Sequence, residues 1–332
     1  MSEPKKIADS FGRIHDYLRI SLTDRCNLRC TYCMPAEGIV LREKSEFMTS
    51  EEIIEIATTF VKMGVKKIRL TGGEPLIKKD IVNILTQLSQ LPIELTLTTN
   101  AVLVDKYLQT FKDVGIKSLN VSLDSLKAAR MNAISRRAYF DRIMANINLL
   151  IDSEIDIKLN VVLMKGVNDD EIIDFIEFTK TNKVDVRFIE FMPFSGNEWD
   201  RSKMVSLQEI LDVANVQFLS IQKLEEKPNS TSRNYRVDGY VGTFGVISTV
   251  TNPFCDSCNR IRLTADGKLK NCLFSADESD LLTQLRSGQD IIPMIRAAVA
   301  SKKEKLAGMD SFESEQGKEI FSKNRSMISI GG

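Results

Sequence analysis

The chain of 332 residues has no net charge, no long apolar run and a single histidine. Lys+Arg and Asp+Glu balance at 45 each. That excludes an overall basic surface for nucleic acid or anionic lipid, while leaving room for a local basic pocket. No stretch stays apolar for about 18 residues, so no membrane span is expected. The opening Met1-Ser-Glu-Pro-Lys-Lys lacks the apolar core of a secretory signal, so the expected compartment is the cytoplasm, where thiols stay reduced. There is no low-complexity segment, and no internal repeat beyond a β/α alternation. What the chain does contain is 43% hydrophobic and 27% charged residues, which suits a large core and argues against disorder. Its length fits about two domains or one large α/β unit.

Six cysteines in a reducing compartment call for something other than disulfides. They fall into two sets of three, Cys26-x3-Cys30-x2-Cys33 and Cys255-x2-Cys258-x13-Cys272. Buried thiols acting as small hydrophobes would be scattered rather than closely spaced among polar neighbours. Structural zinc wants four protein ligands; each set offers three, and His15 could complete only one site. Three thiolates fit an iron–sulfur cube better, with three irons held by cysteine and the fourth open to a ligand that is not protein. Both sets share this deficit of one ligand, which reads as two substrate-binding clusters. The second spacing taken alone also suits half of a zinc ribbon.

Residues 18–191 alternate short runs rich in Val, Ile, Leu and Thr with helical periods. The expected strands are Leu18–Leu22, Lys67–Thr71, Ile93–Thr98, Ser118–Leu123, Ile157–Leu163 and Val186–Phe191. The clearest helix runs from Ser50 to Met63. Thr49 and Glu52 can form a capping box, Ile53, Ile54, Ala57, Phe60 and Val61 make an apolar face, and Gly64 ends it. Leu103–Val114 and Asp169–Thr181 repeat the pattern. Six successive β/α units imply a parallel sheet with right-handed crossovers, too few strands to close an eight-stranded barrel. The expected fold is therefore α/β, an open, partial six-unit β/α barrel. Reactive residues in such sheets sit beyond the carboxyl ends of the strands. The first cysteine set, Gly72-Gly73-Glu74-Pro75 and Thr99-Asn100 follow strands 1, 2 and 3 in that way. A helix near Leu207–Ala214 and a strand near Val216–Ile221 come next. The polar stretch Glu225–Asn234 is the expected boundary, giving a barrel domain over 10–224 and a C-terminal domain over 225–332. The latter opens with a β-rich stretch, Tyr235–Thr251, and ends in helices over 277–327. Arg260 and Arg262, two apart in an extended segment, share a face beside the second cysteine set.

Cys26-Asn-Leu-Arg-Cys30-Thr-Tyr-Cys33 after a first strand resembles the signature of the radical S-adenosylmethionine (SAM) enzymes, and Gly72-Gly73-Glu74-Pro75 after strand 2 agrees with it. Cys255-Asp-Ser-Cys258-Asn-Arg260-Ile-Arg262, Cys272 and the terminal Gly331-Gly332 resemble one family among them, the GTP 3′,8-cyclases of molybdenum-cofactor biosynthesis. The resemblance runs from about Gly12 to the last residue. It implies two [4Fe-4S] clusters, one on each cysteine set. It further implies SAM bound by Tyr32, Gly73, Ser122 and Met192, with Glu74 beside Gly73. GTP would be held by Arg19, Arg69, Thr98, Lys165, Arg260 and Arg262, with Lys67 and Arg187 as further candidates. Arginine suits phosphate because its planar fork donates paired hydrogen bonds. By the same resemblance, a 5′-deoxyadenosyl radical abstracts hydrogen from C3′ of GTP, no protein acid or base carries the chemistry, and the Gly-Gly tail enters the active site. An electron donor and the next pathway enzyme are the implied partners, and a homodimer is compatible with this reading. One departure stands out: Ala101 follows Thr98-Thr99-Asn100 where the family often has Gly, so a positive φ there would be strained.

Overall fold

The computed structural model describes residues 6–34, 38 and 42–331; Gly332 of the expected tail lies outside them. Within this range the six expected strands form: β1 (Tyr17–Ser21), β2 (Lys67–Thr71), β3 (Glu94–Thr99), β4 (Ser118–Ser122), β5 (Asp156–Leu163) and β6 (Val184–Glu190). They are parallel and adjacent in chain order. The helices between them follow local signals. In α1 (Ser50–Lys62) the Thr49 side chain accepts from the Glu52 amide and Glu52 reaches back to the Thr49 amide, the capping box in full. Ile53, Ile56, Ala57 and Phe60 face inward, and Gly64 stops the helix at φ +100°, a conformation that suits glycine. The other connections are α2 (Ile81–Ser89), α3 (Val104–Asp113), α4 (Ala128–Ser135), α5 (Phe140–Ile151) and α6 (Ile172–Phe178). The expected helix at 169–181 begins as a 3-10 turn over Asp169–Glu171 and becomes α-helical only in α6.

The chain beyond β6 extends the same sheet at both edges. After α7 (Leu207–Gln217) come β7 (Ile221–Lys223), β8 (Arg233–Val237) and β9 (Thr243–Ile247), then β10 (Arg260–Leu263), β11 (Lys268–Lys270) and β12 (Ser279–Asp280). β9 pairs parallel with β6, and β10 parallel with β1. Eight parallel strands therefore stand in a row, β10, β1 to β6 and β9, with short antiparallel arms outside them. The strand expected at 216–221 is corrected. The Ser206–Glu209 capping box starts a helix that buries Ile210 and Ala214 and runs to Gln217, while Val216 and Leu219 point to solvent. The final segment folds as α8 (Leu281–Arg286), α9 (Ile292–Ala300), α10 (Glu315–Lys323) and α11 (Met327–Ile330).

Strand alternation divides the sheet into two chemistries. Leu18, Ile20, Ile68, Leu70, Leu97, Leu119, Val121, Leu159, Val186 and Phe188 are fully buried in the main core, each worth roughly 1.5–3 kcal/mol of burial. The alternate positions carry Arg19, Arg69, Thr98, Asn120, Lys158 and Arg187, which line a cavity instead. A packed β/α barrel fills its interior with branched apolar side chains; this one leaves the inner face polar and open.

Candidate active site

The cavity has a volume of about 520 Å³ and is lined by both cysteine sets together with the polar inner face of the strands. Its floor is a row of arginines: Arg262, Arg19 and Arg69 lie directly opposite one another across β10, β1 and β2. Like charges opposed on neighbouring strands repel, and Arg69 and Arg262 are almost wholly buried. Burial, with Arg19 and Arg260 nearby, holds Arg262 down to about 9. Tyr17 is held to about 7: burial raises it, but Arg19 and Arg69 outweigh that, and Arg69 Nε donates to its hydroxyl. Lys158 is held down to about 8 by burial and by Arg187, Lys67 and Arg69. Such a concentration of cations inside a neutral protein is a site for a polyanion.

The first cysteine set sits on the loop after β1. The Gly73 amide donates to the Thr23 carbonyl at 2.7 Å and the Glu74 amide to that of Arg25 at 2.8 Å, so the Gly72-Gly73-Glu74 loop clamps the cysteine loop. A Cβ on Gly73 would stand 2.2 Å from the Arg25 carbonyl oxygen, and one on Gly72, whose φ is +143°, 2.5 Å from that of Thr23. This contact alone requires glycine at both positions. Glu74 turns into the protein, accepting from Thr99 Oγ1 (2.8 Å), the Asn100 amide (2.8 Å) and the Leu76 amide (3.1 Å); burial pushes it up to about 7. Tyr32 donates to Asp124 Oδ2 at 2.8 Å, which fixes its ring on the cavity wall with Ser122 and Met192. Ala101 does adopt φ +63°, so the strain expected of Ala at this position is present.

The second set lies across the cavity. Glu190, at the end of β6, accepts from the Val250 (2.8 Å) and Thr251 (3.0 Å) amides and so fixes the approach to Cys255. Arg13 Nη1 donates to the Cys255 carbonyl at 2.9 Å. Buried Lys302 donates to Cys258 Sγ at 3.3 Å and to the Arg260 carbonyl at 3.1 Å. Burial raises Cys258, but Arg260 and Lys302 outweigh it and bring the thiol to about 6. Burial instead pushes Cys26 up to about 11 and Cys33 to about 12. His15 is not available as a ligand: it is buried against Asp9, with Nε2 3.1 Å from Oδ2, and burial holds it down to about 4.

The residues present fit a nucleotide and a cluster. Arg19 Nε, Thr98 Oγ1, Asn120 Oδ1, Asn160 Oδ1 and Arg260 Nη2 are buried without hydrogen-bond partners, and all five residues line the cavity. An unsatisfied buried polar atom costs about 1–3 kcal/mol, so five in one cavity point to a polar occupant. All six cysteines are free, and both sets face the cavity. Among the described residues no three His, Cys, Asp or Glu side chains converge tightly enough for a single metal ion.

The tail reaches the same cavity: Arg262 Nη1 donates to the Gly331 carbonyl at 2.7 Å. Gly331 has φ +86°, and a Cβ there would lie 2.5 Å from Thr71 Oγ1. Arg325, paired with Asp266 at 2.8 Å, anchors the segment before it. One expected residue is elsewhere. Lys165 lies past the end of β5, exposed and paired with Glu209 at 2.8 Å, and does not line the cavity. The β5 lysine that does is Lys158, which sequence reasoning passed over along with Asn120 and Asn160. The signal was there: positions 120, 122, 158 and 160 carry Asn, Ser, Lys and Asn in phase with the polar face of their strands.

Residues 20–179 match the Radical SAM superfamily model, and residues 184–307 the Molybdenum Cofactor Synthesis C model. A relative from Arabidopsis thaliana, the mitochondrial GTP 3′,8-cyclase, is 46% identical over 98% of this chain and 83% of its own length. The GTP 3′,8-cyclase of Listeria monocytogenes is 42% identical over 90% of this chain and 91% of its own. The chain belongs to the GTP 3′,8-cyclase family. Radical SAM chemistry, with SAM and a [4Fe-4S] cluster, comes with that membership. The chain spans about half the length of the animal relatives, among them the human molybdenum cofactor biosynthesis protein 1, which is 44% identical and 51% covered. Streptococcus suis SuiB bound to S-adenosylmethionine shares the fold at a TM-score of 0.65 and 15% identity, over 96% of this chain and 72% of SuiB. Among the described residues no helix is long and apolar enough to cross a membrane.

Proposed function

We propose that the protein is a GTP 3′,8-cyclase that holds SAM and GTP in one cavity between two cysteine sets, in the first step of molybdenum-cofactor biosynthesis. The observation that carries this reading is the meeting of both sets, each one ligand short of a complete cluster, around an interior lined with buried cations. Cys26, Cys30 and Cys33 would hold the cluster that serves SAM; Cys255, Cys258 and Cys272 would hold a second one that would serve the guanine. When bound, these groups supply reductive SAM cleavage, giving the 5′-deoxyadenosyl radical that takes hydrogen from C3′ of GTP and leads to 3′,8-cyclo-7,8-dihydro-GTP.

The chain's own part is binding, orientation and exclusion of water. Arg19, Arg69, Lys158, Arg260 and Arg262 bind the triphosphate, with Lys67 and Arg187 lining the same cavity. Thr98 Oγ1 and Arg19 Nε, unpartnered in the cavity, gain their missing bonds from the substrate. Tyr32, held by Asp124, together with Gly73, Ser122 and Met192 forms the SAM wall. Gly331, whose carbonyl accepts from Arg262, holds that guanidinium in place. The reading keeps a reducing compartment, where six thiols stay free, an external one-electron donor, and the next enzyme as acceptor of the product. Incubating the anaerobically reconstituted protein with SAM, dithionite and either GTP or ATP tests it. 5′-Deoxyadenosine and cyclised product should form with GTP alone. Equal 5′-deoxyadenosine with ATP, or cleavage of SAM without any cyclised nucleotide, would contradict it.

A further inference from the structure

We infer that Lys302 is a positioning residue that raises the reduction potential of the second cluster above that of the first. The inference rests on the two-cluster reading above. Lys302 follows α9 and is 4% exposed. Its ammonium touches Cys258 Sγ and the Arg260 carbonyl, and among the described residues no carboxylate pairs with it. Burying an ammonium without an anion is costly; here the ammonium is set against the sulfur of a proposed cluster ligand. The Leu306 amide adds a donor to Cys255 Sγ at 3.5 Å, and the charge of Arg260 also acts on Cys258.

The first set is surrounded differently. Among the described residues Cys26 Sγ accepts from neutral donors, the Leu28 amide at 3.4 Å and the Asn100 side-chain amide at 3.7 Å. Two buried carboxyls stand close, Glu74 bearing on Cys26 and Asp124 on Cys30 and Cys33. The charge of Arg29 also acts on Cys26, but its guanidinium donates to the Met34 sulfur at 3.3 Å and not to a cysteine. Reduction adds one electron to a cluster and makes it more negative; no bond forms or breaks. Hydrogen bonds to the ligating sulfurs and nearby positive charge stabilise that state. Lys302 supplies both to the second set, and among the described residues no cation hydrogen-bonds to a cysteine of the first. A donor strong enough to reduce the first cluster therefore reduces the second before it.

The test is an anaerobic dithionite titration of the doubly loaded protein, followed by electron paramagnetic resonance. A variant with Cys255, Cys258 and Cys272 changed to Ser identifies the signal of the first cluster. In the parent protein the second cluster should reduce at the higher potential. Lys302→Met should lower its midpoint by about 59 mV or more, a tenfold change in the one-electron equilibrium, and leave the first cluster unmoved. Lys302→Arg, which keeps the charge, should recover most of that shift. Equal or reversed midpoints in the parent overturn the inference, as does an unmoved second midpoint in Lys302→Met. Should Lys302→Met fail to hold its second cluster, the parent ordering and Lys302→Arg decide. Iron for only one cluster in the parent would instead remove the two-cluster reading itself.

Discussion

Lys158 and Lys165 show how much one side chain's direction decides. Lys158 lies within β5, where Ile157, Leu159 and Val161 are buried in the core, so the alternation turns Lys158 the other way, into the cavity. Lys165 comes after the strand has ended, where alternation no longer applies, and meets Glu209 in solvent. A charge-assisted hydrogen bond to phosphate is worth roughly 1.5–3 kcal/mol. Lys158→Met should therefore weaken GTP binding about tenfold to a hundredfold, measured by calorimetry on the loaded enzyme. An exposed ion pair contributes little, so Lys165→Met should stay within about twofold of the parent. The opposite ranking would return Lys165 to the site. The residues legible in the sequence were those with a spacing of their own: the six cysteines, the Gly-Gly pair, and Arg260 with Arg262. Lys158 needed the phase of its strand as well as its charge.

At the scale of elements, the six parallel strands and α1 could be read because their signals are local: a run of β-branched residues, a capping box, a stopping glycine. β9 and β10 could not be assigned to the barrel sheet in the same way. Their parallel partners, β6 and β1, lie far off in the chain or beyond long connections, and nothing in R-I-R-L or T-F-G-V-I names the strand it will meet. The expected strand at 216–221 failed for a related reason, since Val216 and Leu219 are apolar yet exposed. The clamp between the β1 and β2 loops makes an element-scale prediction. Gly73→Ala would press a methyl onto the Arg25 carbonyl, and backbone cannot yield cheaply. The cysteine loop should shift, so that reconstituted iron falls to the content of one cluster and SAM cleavage is lost, while the second cluster's spectrum persists. Full iron with normal SAM cleavage would show that the clamp tolerates the methyl.

Across the whole molecule, charge is balanced in sum and segregated in space. Seven cationic side chains of the strands, Arg19, Lys67, Arg69, Lys158, Arg187, Arg260 and Arg262, line one cavity in a chain of zero formal net charge. The sheet itself brings this about, because β10 closes onto β1 and carries the second cysteine set and its two arginines to the edge of the first. The tail joins this arginine row through the bond from Arg262 to the Gly331 carbonyl. The most direct measurement is the electron paramagnetic resonance spectrum of the reduced, doubly loaded protein before and after each small molecule is added. SAM should alter only the signal of the first cysteine set, and GTP, but not ATP, only that of the second. Two clusters present and both spectra indifferent to GTP would contradict the account.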